Sequence, residues 1–475
     1  MTASKQHNTK LGSGLKTRHL TMMGLGSAIG AGLFLGTGVG IQIAGPAVLL
    51  AYIFAGAIVV FVMQMLGEMA AARPAPGSFS TYGQMAFGHW AGFTLGWLYW
   101  FMLTMVMGAE MTGASAIMGH WFGVEPWIPA LVCVVFFSIV NLSAVRGFGE
   151  FEFWFAFIKI AVIAIFLVVG VALIFGVLPD TEPVGLSNFI GDHGFMPNGI
   201  AGVAGGLLAV AFAFGGIELV TIAAAESDKP SESIKTAVRS TIWRISLFYL
   251  GAVLVICFLL PYDQIGGASD ASESPFTLIL EMAHIPGVVG LMEGVIVLSL
   301  LSAFNAQFYG TSRFVFSLAK RGDAPQFFAR TTKDGVPLYA VMLSVFFAFV
   351  SVALQFSDQK TLIGLLFNAV GGCLIVIWFM TCLSEIKLRP ELEAEAAAAG
   401  RPMKVRMWAY PVLPWITVAM LIALTVLMLF DAASRSQVIA VVVLAVVLAA
   451  LSFLAPGRNN DKYTHDVVEL EDATA

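Results

Sequence analysis

The chain has 475 residues, of which 58% are hydrophobic and only 12% are charged, and its mean hydropathy is +0.86. Soluble domains carry about 25% charged residues, so this composition excludes a soluble globular protein and indicates one that crosses a membrane many times. The net charge of −5, without a basic tract interleaved with aromatic residues, argues against nucleic-acid binding.

Apolar segments long enough to span a bilayer occur about twelve times along the chain. They lie at residues 20–43, 45–69, 91–119, 127–145, 151–177, 199–225, 242–260, 287–314, 338–355, 362–386, 410–430 and 437–454. Lys and Arg are concentrated in alternate loops, whereas the loops 178–198 and 261–286 contain neither. Because basic loops stay on the cytoplasmic side, both termini are predicted to be cytoplasmic.

Two of these segments contain runs of small residues that predict broken helices. The first run is Gly26-Ser27-Ala28-Ile29-Gly30-Ala31-Gly32-Leu33-Phe34, and the second is Phe212-Ala213-Phe214-Gly215-Gly216-Ile217-Glu218 in the sixth segment. Each glycine inside a helix costs about 1 kcal/mol relative to alanine. A broken helix in hydrocarbon must line a cavity or face protein, and its bare N–H groups suit an anion. Paired breaks in two halves of a chain indicate the substrate site of a transporter.

Three charged side chains inside the predicted spans are candidates for function, because ionisable groups are expensive in lipid. They are Glu110, Lys159 and Glu218. Lys159 could load and release a proton, or it could be permanently paired and hold the fifth segment in place. Glu110 is interpreted equally well as a binding residue or as a structural acid hydrogen-bonded between helices. Glu218 follows two glycines directly, which favours a role in binding or gating.

Two uncharged residues near the breaks have alternative interpretations. Phe214 adjoins the glycine pair, where an aromatic ring can cover a substrate cavity, although phenylalanine in a span is most often packing. Ser302, Asn305 and Gln307 make the eighth segment polar, and such side chains more often form interhelical hydrogen bonds than bind ligands. Of the three, Ser302 is the predicted partner of Lys159, facing the first break.

Outside the spans, two stretches are predicted to lie at the cytoplasmic surface. Residues 73–89 are expected to form a short amphipathic connector, and the Ala- and Glu-rich residues 391–400 a short exposed helix. The seven histidines lie at segment ends and in loops without the spacing of metal ligands. We therefore predict no metal, no cofactor and no enzymatic activity.

Several motifs together resemble one transporter family from Leu15 to about Leu454. They are Arg18–Leu20, Gly26–Phe34, Ala44–Tyr52, Leu66–Ala70, Gly77–Tyr82, Met107–Thr112, Phe148–Trp154, Phe214–Glu218, Ala225–Ser227 and Leu301–Arg313. These runs resemble the amino-acid permeases of the amino acid–polyamine–organocation superfamily, in its bacterial amino-acid transporter branch. Two of the motifs, Met107–Thr112 and Phe148–Trp154, are most similar to aromatic amino-acid permeases of actinobacteria.

The resemblance implies an all-α membrane protein of about twelve helices. In this fold, helices 1 and 6 are discontinuous and spans 1–5 are related to spans 6–10 by an inverted repeat. It implies import of an amino acid, expected to be aromatic or otherwise neutral, together with protons. The implied substrate-binding residues are Ser27, Ala28, Ile29, Gly30, Ala31, Gly32, Phe212, Ala213, Phe214, Gly216, Glu218 and Glu110. Lys159 is the implied coupling residue, with Ser302 beside it.

The resemblance also implies a location in the bacterial inner membrane, with the amino acid, protons and lipid as partners. The implied division is a cytoplasmic tail (1–17), a core of spans 1–10 (18–386), a cytoplasmic loop (387–409), spans 11 and 12 (410–455) and a cytoplasmic tail (456–475). The alternatives are a γ-aminobutyrate, proline or basic amino-acid permease, an exchanger, and a passive channel. The sequence does not fix the oligomeric state.

Overall fold

In the residues that it describes, the computed structural model of the chain consists of helices joined by turns and irregular segments. These are residues 29–75, 77–142, 146–179, 181–191, 194–215, 218, 221, 230–265, 274–284, 287–332, 335–356, 359–400, 402–430 and 432–455. No strand is present among them, which confirms the all-α prediction. Helices satisfy every backbone polar group within one segment, as a hydrocarbon environment requires.

The helices differ widely in length, from four residues to forty. In chain order they are α1 (Ala31–Phe34), α2 (Gly36–Ala44), α3 (Val48–Ala72), α4 (Ser78–Phe87), α5 (His89–Phe122), α6 (Trp127–Leu142), α7 (Arg146–Ile174), α8 (Ser187–Ile190), α9 (Gly199–Ala213), α10 (Pro230–Arg244), α11 (Gly251–Leu259), α12 (Pro275–Met282), α13 (Val288–Arg321), α14 (Leu338–Leu354), α15 (Gln359–Ala398), α16 (Val412–Phe430) and α17 (Ala432–Ser452). A π-helical stretch, Ile245–Leu250, joins α10 to α11.

Many of these helices have the length and composition of membrane spans. Within the described residues, seven stretches are long and apolar enough to cross a bilayer, and four shorter apolar helices accompany them. The long stretches are Ala31–Ala72, His89–Phe122, Phe153–Ile174, Val288–Arg321, Leu362–Ala398, Val412–Phe430 and Arg435–Ser452. The count of about twelve spans and the inverted repeat remain predictions.

The centre of the molecule is formed by α5 and α13, which have 34 residues each and pack against one another. Helices α4, α14, α15 and α17 also contact α5, while α9 contacts α2. Since lipid tails are as apolar as leucine side chains, close packing rather than apolar burial holds such helices together. The arrangement buries the middle of α5, including Glu110, inside the protein.

The short helix expected within residues 73–89 is found as α4, but its apolar residues are buried among other helices and do not form an exposed connector. Phe79 and Tyr82 are fully buried. The Phe79 ring centroid lies 4.6 Å from that of Tyr99 in α5 and 5.9 Å from that of Phe314 in α13. The apolar face read from the sequence therefore meets other helices instead of the membrane interface.

Helix α15 continues past the membrane segment that the sequence predicts at 362–386. It runs for 40 residues through Pro390 to Ala398, so the exposed helix expected at 391–400 is the end of α15 and not a separate element. The first part of the predicted loop 387–409 is correspondingly helical. The charged residues after Ile386 end the apolar stretch, but the helix continues.

A buried ionic cluster fastens this extension to the end of α3. The Arg389 guanidinium lies 2.7 Å from Glu68 and 3.6 Å from Glu385, and both carboxylates are buried. Glu68 also accepts a hydrogen bond from the backbone N–H of Met407. A second arginine, Arg73, pairs with two acids further along α15, but these acids are more than half exposed.

Candidate functional site

The first predicted break coincides with the start of a helix. Ile29 and Gly30 are not helical, and α1 begins at Ala31, in the middle of the predicted first span. The carbonyl of Gly30 accepts hydrogen bonds from the N–H groups of Leu33 and Phe34, both at 3.1 Å. All of these residues are buried. Ser27 and Ala28, predicted for the same site, lie outside the described residues.

The second predicted break coincides with the end of a helix. Helix α9 ends at Ala213, and the chain turns at Phe214 and Gly215. Ala213 and Phe214 are buried, as is Glu218 beyond them. Gly216 and the side chain of Phe212 lie outside the described part of the chain.

The two breaks lie against one another. A Cβ atom placed on Gly32 would come within 2.5 Å of the Ala213 Cα, a distance that real Cβ atoms do not reach. Only glycine therefore lets the two backbones approach this closely. The start of α1 and the end of α9 therefore meet inside the protein.

Glu110 of α5 occupies the helix start. The backbone N–H of Ala31 donates to both carboxylate oxygens, at 2.9 Å to Oε2 and 3.1 Å to Oε1. A Cβ on Gly30 would overlap Glu110 Oε1 and would lie 2.9 Å from the Cβ of Ala303 in α13. Unpaired N–H groups and the helix dipole favour a carboxylate at this position. The resemblance places the substrate carboxylate at this same amide.

Lys159 and helix α13, which carries Ser302, lie near this carboxylate. Lys159 of α7 is fully buried, and its charge acts on Glu110. Ser302 of α13 is also fully buried and directly precedes Ala303, which faces Gly30. The structure therefore brings an acid, a lysine and a hydroxyl-bearing helix to the start of α1. Both interpretations of Lys159, as a proton carrier and as a partner of a carboxylate, are consistent with this position.

Glu218 lies at a different level of α5. It is near Tyr99, which is eleven residues, or about 16 Å along the helix, from Glu110. The Glu218 carbonyl accepts a hydrogen bond from Thr221 Oγ1 at 2.7 Å, and Thr221 Oγ1 lies 2.9 Å from Ser78 Oγ of α4. The two predicted acids therefore do not meet at one point.

Sequence reasoning missed several groups that hold the breaks in place. The Tyr249 hydroxyl donates to the Ala213 carbonyl at 2.8 Å. The Ser274 hydroxyl donates to the Phe34 carbonyl, at the end of α1, at 3.2 Å. The chain has nine tyrosines, and no local sequence pattern distinguishes Tyr249 from the rest. Only the spatial approach of its helix to the end of α9 reveals the contact.

Comparison with known proteins shows the family of the chain. The family model described as "Amino acid permease" matches residues 19–458. The chain belongs to the amino acid permease family. It is 70% identical to the aromatic amino acid transport protein AroP of Corynebacterium glutamicum over 447 residues, which are 94% of this chain and 96% of that protein.

More distant relatives of this permease also align over most of their length. The γ-aminobutyric acid permease of Bacillus subtilis is 39% identical, with 91% of each chain covered. AroP of Escherichia coli K12 is 34% identical, with 94% of this chain and 96% of that protein covered. The resemblance based on the sequence motifs is therefore confirmed, and the protein is a multi-pass bacterial membrane protein of a transporter family.

Proposed function

We propose that this permease imports an aromatic amino acid together with protons across the bacterial inner membrane. The observation that carries the substrate class is the 70% identity to an aromatic amino acid transport protein, against 39% for a γ-aminobutyric acid permease. The meeting of the start of α1 with the end of α9 supports amino-acid binding there, because a helix start favours a carboxylate and a helix end favours an ammonium group.

In this proposal the substrate carboxylate binds the N–H groups that precede and begin α1. The residues concerned are Ser27, Ala28, Gly30, Ala31 and Gly32. The ammonium group binds the carbonyls of Ile29 and of Phe212, Ala213 and Phe214 at the end of α9, and Gly216 belongs to the same proposed substrate site. Glu110 supports the first assignment, because its contact with Ala31 has the hydrogen bonds that a bound carboxylate would make.

Glu110 and Lys159 carry the coupling in this proposal. A second carboxylate entering beside ionised Glu110 meets repulsion in a buried site, where charges interact strongly. A proton from outside that neutralises Glu110 removes the repulsion, so the proton and the amino acid favour each other's binding. Lys159, with Ser302 beside it, pairs with Glu110 while Glu110 is ionised. Glu218, which lies near Tyr99, has the gating role.

The membrane topology is part of the same proposal. Spans 1–10 form the inverted repeat, two further spans follow, and both termini are cytoplasmic. The alternation of basic and non-basic loops supports the orientation. The positions of the breaks in the first and sixth predicted segments support the repeat.

Purified protein in proteoliposomes tests the proposed function directly. Labelled phenylalanine should accumulate above its external concentration when an inward proton gradient is imposed, without amino acid inside. Unlabelled tyrosine and tryptophan should compete, whereas γ-aminobutyrate, proline and lysine should not. Uptake that requires internal amino acid would indicate an exchanger, and uptake that only equilibrates would indicate a channel.

Lys159→Gln is expected to abolish accumulation driven by the proton gradient while phenylalanine counterflow continues. Counterflow needs binding and movement of the loaded protein but no net proton transfer. The control is Lys404→Gln, which removes a lysine from an exposed ion pair with Glu232 and should accumulate phenylalanine normally. Uphill uptake by Lys159→Gln would remove this residue from the coupling mechanism.

Glu110→Gln is expected to make phenylalanine affinity independent of pH, because glutamine keeps an oxygen for the Ala31 N–H and loses only the charge. In the unchanged protein, affinity should fall as pH rises and Glu110 ionises. The measurement is the KM for uptake across a pH series, with the exposed Glu125→Gln as control. The same pH profile in Glu110→Gln and in the unchanged protein would mean that Glu110 is only a structural link between helices.

A further inference from the structure

The end of α9 has a hydrogen-bond donor built into it. The last carbonyls of a helix have no intrahelical N–H partner and form its negative end. The carbonyl of Ala213, the last residue of α9, accepts a hydrogen bond from the Tyr249 hydroxyl at 2.8 Å. Tyr249 is fully buried and lies in the π-helical stretch Ile245–Leu250. Stretches of this kind occur frequently at functional sites.

The ring of Tyr249 packs in a cluster that includes the turn after α9. Its centroid lies 5.0 Å from that of Phe214 and 6.4 Å from that of Tyr52. Tyr52 is also fully buried, and its hydroxyl lies 2.9 Å from that of Thr37 in α2. Two neighbouring tyrosines therefore use their hydroxyls differently, one toward a backbone carbonyl at the break and one toward a side chain away from it.

We propose that Tyr249 is a positioning residue for the ammonium group of the amino acid. A carbonyl oxygen has two lone pairs, and the phenol occupies one of them. Fixing that bond sets the direction of the Ala213 carbonyl, so its second lone pair is held ready for an N⁺–H donor. This inference rests on the proposed function and adds a residue of the seventh predicted span to the site.

The test compares Tyr249→Phe with Tyr52→Phe in proteoliposomes. Each variant removes one hydroxyl from a buried ring and keeps the ring. A hydrogen bond contributes about 1 kcal/mol net, so Tyr249→Phe should raise the KM for phenylalanine about fivefold. The maximal rate should stay close to that of the unchanged protein. Tyr52→Phe should leave the KM unchanged.

Two inhibitors separate the ends of the substrate. Phenethylamine keeps the ammonium and lacks the carboxylate, whereas 3-phenylpropionate keeps the carboxylate and lacks the ammonium. Tyr249→Phe should weaken inhibition by phenethylamine and leave inhibition by 3-phenylpropionate unchanged. Placing 4-aminophenylalanine at position 249 restores a donor on the ring and should restore the KM.

Several results would overturn the proposal. An unchanged or lower KM in Tyr249→Phe would do so, as would equal weakening of both inhibitors or an equal effect of Tyr52→Phe. A Tyr249→Phe protein that fails to fold would show that the hydroxyl has a structural role instead. Phenylalanine transport by the unchanged protein is measured before any variant. If the unchanged protein does not transport phenylalanine, the proposed function itself fails.

Discussion

Gly32→Ala is expected to abolish most transport, whereas Gly36→Ala, one turn further along the same segment, is expected to leave transport nearly intact. At Gly32 the added Cβ would come within 2.5 Å of the Ala213 Cα, and backbone atoms cannot move aside as a flexible side chain can. At Gly36 the nearest atoms, in Ala209 and Phe367, are 3.6 Å away, which is ordinary contact. The two variants make the same chemical change on neighbouring turns.

Overpacking of this kind costs about 1–3 kcal/mol or more, which corresponds to about a fivefold to more than a hundredfold loss of the competent state. The measurement is the initial rate of phenylalanine uptake at equal amounts of folded protein. We expect the loss only in Gly32→Ala, together with weaker phenylalanine binding. A Gly32→Ala protein that transports normally would show that α1 and α9 do not touch in the transporting protein.

A helix start in the first run and a helix end just before the glycine pair could be expected from the sequence, because closely spaced glycines weaken a helix. The run around Gly30 and the pair after Phe214 therefore mark where α1 begins and α9 ends. Their partners could not be predicted in this way. The Glu110 carboxylate reaches an amide 79 residues earlier in the chain, and Tyr249 reaches a carbonyl 36 residues earlier. Contacts of this kind depend on how the helices pack, so a local sequence pattern does not reveal them.

Hydropathy also fails to distinguish a helix that faces lipid from one that faces protein. Both surroundings are apolar, so the apolar face of α4 predicts an interfacial connector equally well as the buried helix that is found. In α15, the charged residues after Ile386 end the apolar window, yet the helix continues to Ala398. Charge marks where the membrane is expected to end and gives no information about where the helix ends.

Arg389→Met is expected to destabilise the folded protein by about 3–5 kcal/mol, because breaking a buried ion pair leaves an uncompensated charge. Here two carboxylates, Glu68 and Glu385, would remain buried without their shared arginine. The matched control is Arg73→Met, because Arg73 directly follows α3 and also pairs with acids of α15. Its acidic partners are more than half exposed, so that pair contributes about 0–1 kcal/mol.

Thermal unfolding of the detergent-purified variants distinguishes the two arginines. Arg389→Met should unfold at a clearly lower temperature than Arg73→Met, which should stay close to the unchanged protein. Adding Glu68→Gln to Arg389→Met should recover part of the loss, because the amide oxygen still accepts the N–H of Met407 without carrying charge. Equal unfolding temperatures for the two single variants would mean that water reaches Glu68 and Glu385. In that case the α15 extension would be held to α3 by packing and not by charge.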